Sequence, residues 1–234
     1  MEPVPETLEA VLLLNLTGES EVGVALGDMG RRALTLVPSL VGLSLTTVKD
    51  DITLTLVASN DAAVDLDVAQ YLDDGPCVEA TREDRVVGTS RDDVLDEGQW
   101  RLFARAEAAL GVASTLSLPL RRDDRIVGGV NLYAREPDAF DGKHQSIAAA
   151  LGGAAAEVVT NADLSFDTRR RAAEAPAKIR QDDAIHQAKG ALAAMHEIGI
   201  EEASQLLREA AARVGISEAR TAAVFLRLLG HHRG

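Results

Sequence analysis

The sequence holds one cysteine, seven aromatic residues among 234, and no basic residue before Arg31. A single cysteine cannot close an internal disulfide, which excludes a disulfide-stapled scaffold and points to a reducing compartment. Without early bases, a secretory leader lacks its positively charged start. The apolar run at residues 11–14 is far shorter than the roughly 20 residues that cross a bilayer. A cytoplasmic protein with no membrane partner is expected. Catalytic signatures are missing too: there is no Gly-x-x-x-x-Gly-Lys phosphate loop, no Gly-x-Gly-x-x-Gly, no His-Glu-x-x-His and no Gly-x-Ser-x-Gly. The expectation is therefore a protein that is not an enzyme, with no catalytic or metal-ligating residues. Nothing in the sequence names a cofactor.

What is present is an ordinary globular composition, 46% hydrophobic and 26% charged, long enough for one full core and a smaller second unit. The net charge of −13 argues against a nucleic-acid partner only if it is evenly spread. It is not. Residues 1–165 carry 28 acids and 13 bases, whereas residues 166–234 carry 9 acids and 11 bases, with four of the five histidines. The first part repels polyanions and the second tolerates one.

Hydrophobic periodicity changes at the same place. Val41, Leu43 and Leu45 alternate with small polar residues, as do Ile52, Leu54 and Leu56, and each set reads as a half-buried strand. Lys49, Asp50 and Asp51 form a hairpin loop between them. Leu116, Leu118 and Leu120 repeat the design with residues 121–125 as the loop and 126–133 as the second strand, and residues 86–89 read as a shorter strand. Helical patterns cover residues 21–37, 97–110 and 140–162. Paired hairpins among helices, without regular βαβ alternation, predict an α+β fold with an antiparallel sheet.

Residues 166–178 lack an apolar stripe and contain Pro176, which suits a first helical turn, so a linker ending at a new helix near 176 is expected. Beyond it three alanine-rich helices are predicted, broken at residues 197–199 and 214–217. The division is residues 1–19 as an extension, 20–163 as the first domain, 164–175 as linker and 176–234 as a small all-α three-helix domain. Such a small unit has little apolar area of its own and needs a partner surface. The stripe Ile147, Leu151, Ala155, Val158 and Ala162 offers a dimer seam, or simply covers the sheet.

Five Asp-Asp pairs (50–51, 73–74, 92–93, 123–124, 182–183) read as solvated turns, and His231 and His232 as a fraying end. Cys77 follows Gly75 and Pro76 at a helix start. A thiol there is either activated by the helix terminus, as in a redox sensor, or a small buried hydrophobe.

The run Asp74-Gly75-Pro76-Cys77-Val78-Glu79-Ala80 is followed by Leu110-Gly111-Val112-Ala113-Ser114-Thr115-Leu116-Ser117-Leu118-Pro119-Leu120. Then come Ile126-Val127-Gly128-Gly129-Val130-Asn131-Leu132-Tyr133 and Ala139-Phe140-Asp141. Together these resemble a GAF domain, in the version common in actinobacterial regulators. The resemblance implies a six-stranded-type antiparallel sheet between helices, with a small-molecule pocket on one face. Leu54, Leu56, Cys77, Leu116 and Leu118 are the candidate lining residues, a set that favours an apolar or planar ligand.

Ile185-His186-Gln187-Ala188-Lys189-Gly190-Ala191-Leu192, followed by Glu202-Ala203-Ser204-Gln205-Leu206-Leu207-Arg208-Glu209-Ala210, resembles an ANTAR domain, the three-helix RNA-binding module of antiterminators. On that helix Ala188, Leu192 and Met195 lie within about 80° of Ile185, and Gln187 lies about 200° away on the open face. Gly190 costs nearly 1 kcal/mol in a helix interior, so RNA or another helix approaches its backbone, or it is a packing notch. Asp182, Ser204 and residues 214–218 depart from the family's basic or aromatic pattern, and each lost base removes a phosphate contact.

The resemblances together imply a sensor controlling antitermination. Its partners would be a small-molecule ligand, hairpin loops of a nascent transcript and a second copy of the chain. Gln187, Lys189 and Arg208 are the expected RNA contacts, with Arg180 and Arg213 as electrostatic support. Two alternatives stay open. Residues 211–217 resemble the turn of a helix-turn-helix DNA binder. A dimerisation or protein-interaction module that has lost RNA binding also fits the missing bases.

Overall fold

The computed structural model describes residues 19–90, 100–161 and 182–230. The first unit runs α1 (Glu19–Leu36), β1 (Leu40–Lys49), β2 (Ile52–Ala58), α2 (Asp61–Asp73), α3 (Pro76–Glu83), β3 (Val87–Ser90), α4 (Arg101–Leu110), β4 (Ser114–Arg122), β5 (Arg125–Ala134) and α5 (His144–Asn161). Its strands pair antiparallel in the order β2-β1-β5-β4-β3, so the expected α+β architecture holds, with five strands among the described residues rather than six. Both hairpins close on Asp-Asp pairs. Asp50 and Asp51 have φ of 51° and 62°, and Asp123 and Asp124 have 49° and 59°. Two left-handed residues make the turn whose twist matches the flanking strands, and aspartate tolerates that region. The pair 92–93 lies outside the described residues.

The two faces of the sheet differ sharply. Leu43, Leu45, Leu54, Leu56, Leu116, Leu118, Val130 and Leu132 pack against Leu26 and Met29 of α1 and Ile147, Leu151 and Ala155 of α5. The α5 stripe offered as a dimer seam is thus buried on the sheet, with Ile147, Leu151 and Ala155 at 0% exposure. Ala162 lies outside the described residues. The alternating positions Ser44, Thr46, Thr55, Thr115, Ser117, Asn131 and Tyr133 are also buried, on the opposite face. They lie beneath α2, α3 and α4. The strands approach closely here: a Cβ on Gly128 would stand 1.9 Å from the Thr46 carbonyl oxygen, so only glycine fits.

The C-terminal unit is α6 (Asp182–His196), α7 (Ile200–Val214) and α8 (Glu218–Gly230), the three helices expected. The linker 164–175 and the start at 176 lie outside the described residues. Gly215, at φ 83°, closes α7 in the left-handed conformation that a helix end favours.

This unit finds its partner surface on the first unit, but not on α5. One continuous apolar cluster joins Val64, Val68 and Leu72 of α2 and Phe103 of α4 to Leu192, Leu207 and Phe225 of the three helices. Each such side chain contributes about 1.5–3 kcal/mol on burial, which the small helices cannot supply alone. Helix α2 is consequently enclosed from both sides. Every residue from Ala63 to Leu72 is buried.

Candidate functional site

The sheet face under α2 and α3 carries a continuous hydrogen-bonded network centred on Asp67. Across the sheet, the Ser117 hydroxyl donates to Asn131 Oδ1 at 3.0 Å, and Asn131 Nδ2 donates to Ser44 Oγ at 3.0 Å. Ser44 donates to Asp67 Oδ1 at 3.1 Å, Tyr133 OH to the same oxygen at 2.9 Å, and Thr55 Oγ1 to Asp67 Oδ2 at 2.8 Å. Gln70 Nε2 donates to Tyr133 OH at 3.2 Å, while Gln70 Oε1 accepts from the Cys77 backbone N–H at 2.7 Å. Thr55 Oγ1 also meets Tyr71 OH at 3.0 Å.

Burial dominates the electrostatics of this face. Asp67 is fully enclosed, which pushes its carboxyl up to about 6, against the pull of the hydroxyl and amide donors around it. Burial raises both Tyr71 and Tyr133 well above the usual phenol range, and the Asp67 charge adds to it. Burial also pushes the Cys77 thiol up to about 12, with Asp67 contributing. Desolvation therefore outweighs the favourable helix start, and Cys77 is the buried hydrophobe of the two readings rather than an activated thiol. At the far edge, burial lifts Glu107 to about 7 although the Thr115 hydroxyl donates to it at 2.5 Å.

The lining residues expected from sequence do not come together. Leu54, Leu56, Leu116 and Leu118 face α1 and α5, while Cys77 stands on the polar face, with its sulfur 3.6 Å from Thr46 Oγ1. The four leucines belong to the core face under α1 and α5, on the opposite side of the sheet from Cys77, so these five residues do not line one pocket. Asp67, Gln70, Tyr71 and Tyr133 were missed. The available signal was the unbroken polar set Ser44, Thr55, Ser117 and Asn131 on strands whose other set is all leucine.

Among the expected RNA contacts, Gln187 is exposed on α6. Lys189 is half-buried and pairs with Glu218 at 3.4 Å. Arg208 donates to Ser204 Oγ at 2.6 Å and pairs with Glu201 at 3.5 Å. Arg213 turns toward the first unit: its guanidinium stacks 4.0 Å from the Tyr71 ring centroid and its Nε donates to the Thr53 carbonyl at 2.9 Å. Gln187 and Lys189, two residues apart, thus project from nearly opposite sides of α6, Arg208 sits on the next helix and Arg213 is drawn into the docking contact. Arg180 lies outside the described residues. Gly190 is exposed, and a Cβ there would meet nothing within 4 Å, so among the described residues no neighbour uses it as a notch.

Where α2 meets α6 and α7, a cleft of about 670 Å³ opens between Tyr71, Leu72 and Asp73 on one side and His196, Leu206 and Arg213 on the other. Among the described residues, no three His, Cys, Asp or Glu side chains gather as metal ligands, and no helix is long and apolar enough to cross a membrane.

A family model described as a GAF domain matches residues 7–160. The chain belongs to the GAF domain family. Among solved structures it is similar to a domain of a protein described as a two-component sensor histidine kinase, from Sinorhizobium meliloti 1021. The two are 14% identical with a TM-score of 0.40, over 58% of this chain and 90% of that one. No curated protein matches the sequence. The GAF domain thus comprises the sheet, the α1 and α5 layer on its apolar face, and the α2, α3 and α4 layer over the Asp67 network.

Proposed function

We propose that the chain is a cytoplasmic, signal-responsive antitermination regulator, in which the GAF domain senses a small molecule and controls an ANTAR-like RNA-binding unit. The observation that carries this reading is Gly190. A mid-helix glycine costs close to 1 kcal/mol against alanine, and among the described residues nothing comes within 4 Å of where its Cβ would stand. Its bare backbone lies beside Gln187 on the open face of α6, where a bulky external partner can approach closely. RNA hairpin loops offer such a partner, since their unstacked bases are accessible to side-chain amides and their phosphates to Lys189 and Arg208. Arg180 and Arg213 add long-range attraction. A homodimer would present two such units to two loops, and holding those loops would keep a terminator hairpin from forming.

Ser44, Thr55, Asn131 and Tyr133 of the GAF domain are buried and bonded to one another or to Asp67, so a ligand on that face would have to replace those bonds. The helix-turn-helix alternative would lay α8 in the major groove, whereas Arg220 and Arg227 of that helix pair with Asp61 and Asp65 of α2. A recognition helix needs a free face for the major groove.

A gel shift comparing paired-hairpin RNA with duplex DNA of equal length, at several salt concentrations, tests the proposal. Binding of the hairpin that is lost with Gln187→Ala supports it. Preference for the duplex returns the DNA-binding alternative, and absence of both complexes at low salt leaves an interaction module.

A further inference from the structure

Three arginines of the C-terminal unit are bound by the GAF domain itself. Arg220 pairs with Asp61 at 2.5 Å, Arg227 pairs with Asp65, and Arg213 lies on Tyr71 while donating to the Thr53 carbonyl. Asp61, Asp65 and Tyr71 share one helix, α2. Arg220 and Arg227 are seven residues apart on α8, two helical turns, and so lie on one face.

We propose that this docking is an autoinhibitory contact, in which α2 holds the arginines that the C-terminal unit would otherwise present to RNA phosphates. The inference rests on the RNA-binding reading above and adds how that binding is held off. A carboxylate and a phosphate oxygen make the same charge-assisted bond to a guanidinium, so the two compete for it. Docking and RNA binding are therefore linked reciprocally: whatever favours the undocked state raises RNA affinity, and RNA favours release. The docked state is the ground state, because opening it bares the shared apolar cluster around Val64 and Phe225. Tyr71 is the element that both sides touch. Its hydroxyl meets Thr55 in the Asp67 network and its ring carries Arg213, so a ligand that rearranges the polar face shifts the seat of that arginine.

The test uses the full chain with Asp61→Asn and Asp65→Asn together, and a harsher Asp61→Lys, Asp65→Lys pair. Asp50 and Asp51, exposed in the β1–β2 turn, take the same changes as charge-matched controls. Hydrogen exchange over α2 and α8 reads docking, while heparin and a paired-hairpin RNA read polyanion binding. The expected result is faster exchange in both helices than in the controls. The dependence of log affinity on log salt should also steepen by about 2 to 3, roughly one for each arginine released. Exchange and salt slope equal to the controls in both pairs would overturn the proposal, as would faster exchange with an unchanged slope. Stronger heparin binding without RNA binding keeps the latch and refutes the RNA reading; RNA binding equal in wild type and variants does the reverse.

Discussion

Replacing Asp67 by asparagine isolates the energetic centre of the GAF domain. Burial pushes the wild-type carboxyl up to about 6 from an ordinary 3.8, so the folded state binds the proton more tightly than the unfolded chain. Stability is therefore highest below 3.8 and falls as pH rises through the window up to about 6, by roughly 3 kcal/mol in all. Between pH 4.5 and 8, about 2 kcal/mol of that loss lies within reach of measurement. Asparagine has nearly the same shape and no charge. Its oxygen keeps the bonds from Tyr133 and Ser44, and its amide faces Thr55, whose hydroxyl can accept from it and donate to Tyr71 instead. Urea unfolding of both proteins at the two pH values gives four stabilities. Wild type should lose about 2 kcal/mol more than Asp67→Asn on going from the lower to the higher pH, with the Glu107 contribution cancelling in the comparison. An equal loss in the two proteins would refute the assignment of a buried, charge-destabilised Asp67.

Other expectations follow from single contacts. Gly190→Ala should raise stability by about 0.5–1 kcal/mol in urea unfolding while weakening hairpin RNA binding, two effects that a mere packing role would not separate. With its thiol pushed up to about 12, Cys77 should resist iodoacetamide at pH 8 in the folded chain and react in urea. Phe225→Ala, at a fully buried position shared by both units, should cost about 3–5 kcal/mol and speed hydrogen exchange on α2 as well as α8. Arg213→Ala removes the stack on Tyr71 and the bond to Thr53, and should cost about 1–2 kcal/mol of stability.

The strands and their turns were legible because alternation and Asp-Asp pairs are local signals. Ile52, Leu54 and Leu56 mark a strand wherever it packs, and Asp123-Asp124 marks a turn without help from the rest of the fold. Helix α2 was not legible, for a tertiary reason. Val64, Leu66, Val68 and Leu72 face apolar neighbours on different sides, because the sheet lies under α2 and the C-terminal helices over it, so no single stripe forms. The candidate site was lost with that helix, since Asp67, Gln70 and Tyr71 all stand on it. The direction of each strand's leucines was ambiguous for a related reason. Alternation shows that a strand has two faces, and Leu54 and Leu116 could have lined either a pocket or a helix layer. The need of the three small helices for a partner surface was readable from their alanine content, but its address on α2 and α4 came only from the fold.

Selection of the full chain against a library of hairpin RNAs with randomised loops, followed by anisotropy titration of the enriched hairpin, tests RNA recognition by the C-terminal helices. The expected result is an enriched loop whose binding weakens with Gln187→Ala and Lys189→Ala and tightens when Asp61→Asn and Asp65→Asn release the C-terminal unit. No enrichment over duplex DNA of equal charge, in the wild type and in the released variant alike, would contradict it.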